Sequence, residues 1–327
     1  MVDSSIGAAA RPTLVVVGAA SRDVDVADAR GWRLGGAVTY SSLTAARLGL
    51  RVRALVGVDR QATQAHELDI LRASGVEVNL VPLEHGPVFE NRQTESGRQQ
   101  HALSASDQLP VDALPADWRA PTAALLGPIA AELGEEWAAA FDHSAFVALA
   151  AQGLVRRIEA GTQVQPLPFT RGALVERADA ILASAEDLVA GSHPLRELLR
   201  TGQTMLITHG DKGALALQRR STGISGRYVP PLPRRQAIDT TGAGDTFLAA
   251  WLAARLLTGN DDWRALTVAA AMASLSVQRR TFDESPSLAD LCEALVRQRD
   301  RHPESADDAG TQADADGAGG GQGPPRL

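Results

Sequence analysis

Residues 237–247 read Ala-Ile-Asp-Thr-Thr-Gly-Ala-Gly-Asp-Thr-Phe and run straight into the apolar stretch LAAWLAARLLTG. Two glycines flanking an alanine where a helix begins let consecutive backbone N–H groups converge on one point, and the helix dipole adds positive potential there. Such a point is an anion site. Asp245 enters the same spot, where its carboxylate would repel an anionic guest unless it has a second role. On one reading that role is chemical, the anion being a phosphoryl group in transfer and Asp245 accepting the proton of the attacking hydroxyl. The other is that Asp245 only caps the helix, a common job for an aspartate at that position.

Working outward from this motif, strand-like and helix-like segments alternate along the chain. TLVVVG (13–18) is a β-branched apolar run of the kind found in buried parallel strands. VTYSSLTAARLG (38–49) puts Leu43, Ala46 and Leu48 near one helical face and stops at Gly49, a natural C-terminal cap. RVRALVGVD, a helix over about 61–73 and VEVNLV repeat the rhythm, and 123–127, 145–150, 179–184 and 205–210 are further short strands. The pattern predicts an α/β fold with a doubly wound, mostly parallel central sheet flanked by helices, its ligands bound beyond the carboxyl ends of the strands. Two polar, turn-rich stretches interrupt it, at about 24–34 and 87–103, the second with a turn around Glu95-Ser96-Gly97. They predict small antiparallel strands, either plain surface hairpins or a β lid over the site.

Composition narrows the chemistry. Of 32 basic side chains against 39 acidic ones in 327 residues, all but Lys212 are arginine. THGDKGA is not a phosphate-binding P-loop, and lysine-clamped or Schiff-base chemistry would depend on that one residue. A single cysteine, Cys292, excludes an internal disulfide framework and a cysteine zinc site, which points to the cytoplasm. The seven histidines show no metalloprotease spacing. FLAAWLAARLL is broken by Arg255 well short of the ~18 apolar residues of a membrane span, and MVDSSIGAAARP lacks the form of a secretory signal. The charge of −7 without a basic run argues against nucleic acid as a partner. Residues 1–11 read as a loose leader and 303–327 as a disordered acidic Gly/Ala-rich tail carrying −4 of that charge.

IDTTGAGDTF resembles the C-terminal signature of the ribokinase-like (PfkB) family of carbohydrate and nucleoside kinases. LGGAVTYSSLTAARLGLRVRALVGVD resembles that family's other signature, a Gly-Gly pair opening a helix that ends in Leu-Gly and leads into a strand with Gly-x-x-Asp. The two stand in the expected order, and the resemblance covers roughly residues 13–300 within a single domain of 12–302.

The resemblance implies a set of roles. Asp245 matches the catalytic base, and the backbone of Gly242, Ala243 and Gly244 the anion hole. Thr208 and Gly210, with Gly213 opening the next strand and Thr241 beside the anion hole, match the donor-binding positions for ATP. Asp23, Gly35 and Gly36 match positions that hold substrate hydroxyls. Glu186 matches the glutamate of an Asn-x-x-Glu motif that holds Mg²⁺ through water, and Asp239 an aspartate near the bound cations, among which a monovalent cation is a further candidate. Each has a plainer reading as a turn, cap or strand-end residue. The chain also departs from the pattern. Ala183 replaces the motif's asparagine, Tyr40 stands where a sugar-reading asparagine is expected, and SLSVQRRTFDESPS lacks the glycine usual after the arginine. FENRQTESGRQ, AAQGLVRR and LASAEDL look closer to a branch that includes inositol kinases.

The expectation is therefore ATP-dependent phosphorylation of a small polyol or sugar, with a homodimer through lid strands as a further expectation from the family. The rivals are a nucleoside acceptor stacked on Tyr40, Trp32 or Phe89, and a non-catalytic binding or regulatory protein of the same fold. A Rossmann oxidoreductase is weaker, since Gly242-x-Gly244 lacks the third glycine and lies far from the first strand.

Overall fold

The β-branched run near the N-terminus forms the middle of the molecule in the computed structural model, which describes residues 11–94, 97–189, 191–233, 236–280 and 282–301. All but the last residue of the expected leader 1–11, Glu95 and Ser96 of the expected turn, and the whole expected tail 303–327 lie outside the described residues. In chain order the first strands and helices are β1 (Thr13–Ala19), β2 (Ser21–Val24), β3 (Trp32–Gly35), α1 (Ala37–Arg47), β4 (Arg51–Val58), α2 (His66–Ala73) and β5 (Glu77–Pro82). There follow β6 (Val88–Thr94), β7 (Gly97–Ser104), β8 (Ala123–Leu126), β9 (Phe146–Ala150), β10 (Arg156–Arg157), β11 (Thr162–Gln163), β12 (Gln165–Pro166) and α3 (Ala173–Arg177). The last are β13 (Ala180–Ser184), α4 (Leu195–Leu198), β14 (Thr204–Thr208), β15 (Ala214–Arg220), β16 (Gly223–Val229), α5 (Ala243–Leu257), α6 (Asp262–Ser276) and α7 (Leu288–Arg301).

Among the described residues the main sheet has nine strands in the order β16-β15-β14-β13-β9-β8-β1-β4-β5. From β5 to β14 every neighbour is parallel, and β15 and β16 close that end antiparallel. The chain leaves β1 in one direction for β4 and β5 and later resumes on its other side with β8. The strand order thus reverses between β1 and β8, the kind of switch point where a crevice opens beyond the carboxyl ends.

Side chains of β1 alternate between two cores, Leu14 and Val16 on one face and Val15 and Val17 on the other, all fully buried. At roughly 1.5–3 kcal/mol for each such burial, β1 is firmly seated, and with it the segment that carries Asp23. On the Leu14 face the core is completed by residues of α1, α2, α5, α6 and α7. On the Val15 face it is completed by Trp118 and Trp137 in single 3₁₀ turns, with short α3 and α4. Trp137 is buried there and donates its indole N–H to the Leu109 carbonyl at 2.8 Å.

The helix expected over 61–73 is split. Asp59 Oδ1 accepts the N–H groups of Gln61 and Ala62, a 3₁₀ turn covers Ala62–Gln64, and Ala65 is extended before α2 starts at His66. The helix expected over 38–49 runs from 37 to 47, and Gly49 takes φ +97° just beyond it. The two polar stretches form a separate five-stranded sheet in the order β11-β7-β6-β2-β3, with β11 a strand the sequence pattern does not announce. Its β2–β3 hairpin is tied to the body. Arg30 meets the buried Glu67 through two hydrogen bonds, 2.9 and 2.7 Å, Glu67 also accepts the Leu34 N–H, and Arg22 pairs with Asp59 at 2.7 Å. Burial would lift the Glu67 carboxyl, but Arg30 and the Leu34 N–H more than offset it and hold it below its ordinary value. Among the described residues no helix is long and apolar enough to cross a membrane.

Candidate active site

Two clefts meet at the start of α5. The first, about 670 Å³, lies over the β1/β8 switch point beneath the lid sheet and is lined by Asp23, Gly36, Tyr40, Thr241, Gly242 and Asp245, with Asn91, Gln100, Gln152 and Arg156 opposite. The second, about 560 Å³, lies beyond β13 and β14 and is lined by Thr208, Gly210, Gly213, Pro231, Phe247, Ala270, Ala273, Ser274 and Val277. They share a border made of Ser184, Glu186, Thr208, Thr240, Ala243 and Gly244.

The border exposes the first backbone amides of α5. Gly242 caps α5 at φ +72°, a conformation costly for any residue with a Cβ. A Cβ at Gly242 would also fall 2.4 Å from Tyr40 Cγ. The first amides of a helix have no carbonyl four residues back, so those of Ala243 to Asp245 face outward, and Ala243 N–H reaches only Thr240 O at 3.3 Å. The two signatures, about 200 residues apart, pack together here. The Tyr40 ring lies under Gly242 and makes an edge contact with Phe282 at 5.4 Å, and Ser41 Oγ donates to the Asp245 carbonyl at 3.3 Å.

Asp245 is held at an unusual charge balance. Burial, with a smaller push from Asp23, raises its carboxyl from 3.8 to about 6, and the Arg156 guanidinium acts in the opposite direction. A carboxyl there is ionised near neutral pH yet basic enough to take a proton from a hydroxyl. Asp23 accepts from Ser21 Oγ at 2.9 Å, and a Cβ on Gly35 would come within 2.3 Å of Asp23 Oδ2, so glycine is what lets β3 pass this carboxylate.

Residues 172–287 match the family model described as pfkB family carbohydrate kinase. A curated ATP-dependent ribose-1-phosphate kinase of Halopiger xanaduensis is 33% identical over 123 residues, which cover 36% of this chain and 41% of that protein. Among solved structures, a pyrophosphate-dependent kinase in the ribokinase family, complexed with a pyrophosphate analogue and myo-inositol, superposes with TM-score 0.69 at 21% identity. That superposition covers 86% of this chain and 99% of the other. Ribokinase of Thermotoga maritima gives TM-score 0.65 at 18% identity over 87% of this chain and 99% of its own. The chain has a ribokinase-like fold and carries the pfkB signature.

Within this ribokinase-like frame the structure brings together Asp23, Gly36, Tyr40, Thr208, Thr241, Gly242, Ala243, Gly244, Asp245 and Glu186 around one cleft. Gly210 and Gly213 line the second, and Gly35 backs Asp23. Glu186 sits in the middle of a 3₁₀ turn, Ala185–Asp187, capped by Ser184, whose hydroxyl accepts the Glu186 N–H at 3.1 Å. Among the described residues nothing pairs with its carboxylate. Asp239 stands apart, in a small recess with Tyr40, Thr246, Ser276, Arg279 and Arg280. Its Oδ1 accepts the Thr241 N–H at 2.9 Å, and its Oδ2 pairs with Arg33 at 3.0 Å. Burial favours the neutral acid, but these bonds outweigh it and hold Asp239 below its ordinary value. Asp239 and Glu186 line different recesses, and no group of three or more His, Cys, Asp or Glu able to hold a metal occurs among the described residues.

Tyr40, placed with the acceptor-reading residues by sequence, has its ring committed to packing against Gly242 and Phe282. Sequence reasoning missed the polar wall opposite it. Arg156 donates to Gln100 Oε1 at 3.2 Å and lies 3.5 Å from Asp187 Oδ1, and the Gln152 amide, turned so that its oxygen faces the guanidinium, would accept from it as well. Buried Glu132 was missed too, although its carboxylate collects the N–H groups of Ala19, Ile129 and Ala130 and so knits the ends of β1 and β8 under the cleft. The lone Lys212, set aside by the sequence reading, is exposed on the rim of the second cleft. No local pattern marks these residues, because each becomes significant only when distant segments meet.

Proposed function

We propose that this protein transfers the terminal phosphoryl group of ATP to a hydroxyl of a small polyol or sugar, with Asp245 as the general base. The observation that carries the reading is the shared border of the two clefts. A carboxyl lifted to about 6 faces one cleft from a helix start whose amides face both. Asp23 and the backbone at Gly35 and Gly36 orient the acceptor, and Asp245 takes the hydroxyl proton as oxygen bonds to phosphorus and the bond from phosphorus to the leaving ADP breaks. The amides of Gly242, Ala243 and Gly244 meet the charge on the transferring group, which needs no lysine. The lid sheet keeps out water, the competing nucleophile.

The second cleft suits a nucleoside, since Gly213, Ala270, Ala273 and Ser274 leave room for a flat base between Pro231, Phe247 and Val277. Mg²⁺ fits the unpaired Glu186 carboxylate on the border, because this ion binds through one or two carboxylates plus donor phosphates. Held by Glu186 and the phosphates, it would offset their charge. A monovalent cation does not fit at Asp239, whose two oxygens are already engaged. The exposed free thiol of Cys292 suits a reducing, cytoplasmic setting.

The acceptor wall supports a polyol over a nucleoside. Asn91, Gln100 and Gln152 offer donors and acceptors for hydroxyls. Of the aromatic candidates for stacking a base, Tyr40 packs against Gly242, Phe89 lines the cleft but is buried with Ala37 and Ala102, and Trp32, outside the lining, is flanked by Arg30 and Arg22 at 4.5 and 5.8 Å. One observation favours a second acceptor class. Arg156 puts a guanidinium in this cleft, which suits a phosphorylated sugar such as the substrate named for the Halopiger relative. The similarity to a pyrophosphate-dependent kinase makes the donor testable as well. The experiment is a panel of cyclic polyols, free sugars, sugar phosphates and nucleosides, with ATP or pyrophosphate as donor, scored by released ADP or phosphate respectively. ATP with a polyol or sugar should give turnover, and exclusive use of nucleosides, or no transfer to any acceptor, would sink the reading.

A further inference from the structure

Arg33, on lid strand β3, reaches three separate segments with one guanidinium. Its Nη2 is 3.0 Å from Asp239 Oδ2, its Nη1 donates to the Arg280 carbonyl at 2.8 Å, and its Nε lies 2.8 Å from Asp25 Oδ2 in an ion pair without hydrogen-bond alignment. Asp239 in turn fixes the Thr241 N–H, one residue before Gly242. On the other side, Arg33 stands directly opposite Asp23 in the β2–β3 ladder, and Gly35 follows two residues later on the same strand. Arg33 and Asp239 are both partly buried, at 29% and 22% side-chain exposure. Without the guanidinium, Asp25 and Asp239 would lose the cation that pairs with both, leaving only Arg279 and Arg280 in the recess beside Asp239.

We infer that Arg33 is a positioning residue, a resident cation that fixes the approach to the anion loop and ties it to the lid strand carrying the acceptor groups. It stands where Asp239 would otherwise need a metal ion, so turnover does not depend on the monovalent cation supplied. This rests on the kinase reading. It also gives Arg33 a role that neither cleft lining shows, because the residue borders neither cleft.

The test compares wild type, Arg33→Ala and Arg33→Lys in potassium, sodium and choline salts at equal ionic strength, with and without added guanidinium. Wild-type turnover should be the same in all three salts. Arg33→Ala should lose at least about tenfold in kcat with a smaller change in acceptor KM, since the fault is misplacement of the phosphate loop. Guanidinium or potassium should restore much of that loss, and Arg33→Lys should fall between, keeping the charge but not the fork. A lower melting temperature in Arg33→Ala with no rescue by either cation, or a potassium-dependent wild type, would overturn the inference. If wild type transfers phosphate to no acceptor, the kinase reading fails separately. Inorganic phosphate binding by the same variants then decides the Arg33 role: weakened in Arg33→Ala and restored by guanidinium, or unchanged and the inference lost.

Discussion

The two clefts that meet at Asp245 are made of different material. The donor side is backbone and small residues: the first amides of α5, Gly213, and the alanines of α6. The acceptor side is long polar side chains brought in from elsewhere, Asn91 and Gln100 from the lid strands and Gln152 and Arg156 from the segment after β9. A site built of backbone is preorganised once its helix is packed, whereas a site of side chains must be held by what lies behind them. Under the proposed function the difference means that donor chemistry and acceptor choice are expected to fail independently.

The sharpest way to break that contrast is at Gly242. Gly242→Ala forces a Cβ into the Tyr40 ring and a non-glycine residue to φ +72°. Turnover should fall at least about tenfold with every acceptor, because a loop misplaced by an ångström is felt at the reacting atoms. Adding Tyr40→Leu should return part of the loss but not the backbone cost of roughly 1–2 kcal/mol. Steady-state kinetics of the single and double variants check this, and an effect confined to one acceptor would show that the loop belongs to the acceptor side.

Arg156→Met probes the other side. The acceptor KM should rise about tenfold, as expected when a charged hydrogen-bonding group is lost, with the donor KM little changed. Because Arg156 holds Asp245 down, removing it should move the acid limb of the pH–rate profile upward. A limb that stays in place would mean that Arg156 does not act on Asp245.

The smallest effect is expected where the β2–β3 hairpin is tied to α2, at the Arg30–Glu67 pair. Glu67→Gln should cost about 1–3 kcal/mol in stability, less than a fully buried pair because Arg30 is 26% exposed. Since the folded-state value of Glu67 lies below its ordinary one, its stabilisation is complete above that ordinary value and is lost as pH falls below it. Thermal melts of both proteins between pH 3 and 8 should therefore converge at the acid end, and a constant gap would refute the pairing.

The same contrast explains what the sequence made legible. The alternation of apolar runs announced the parallel sheet, and Gly242-Ala243-Gly244-Asp245 announced the start of α5 with its exposed amides, because in both cases local chain geometry is the structure. The helix expected over 61–73 was interrupted because Asp59 bonds two amides at its start, a side-chain bond that periodicity does not register. Tyr40 looked like an acceptor reader from its position after Gly35-Gly36, yet its ring supports Gly242 from a motif 200 residues away. Arg156 lay in view inside AAQGLVRR, but nothing local distinguishes it from Arg157, which does not line the cleft.

The central claim is that Asp245, lifted by burial, takes the acceptor's proton, and kcat/KM against pH for wild type and Asp245→Asn tests it most directly. Wild type should show an acid limb centred near 6, and the variant should fall by at least ~10² with that limb gone while still binding ATP. The variant should also be more stable at neutral pH. The folded state holds the Asp245 proton more tightly than the unfolded chain, so stability falls as pH rises from 3.8 to about 6. The asparagine escapes that cost of up to about 3 kcal/mol. Near wild-type turnover in Asp245→Asn, or an acid limb that survives the substitution, would contradict the account.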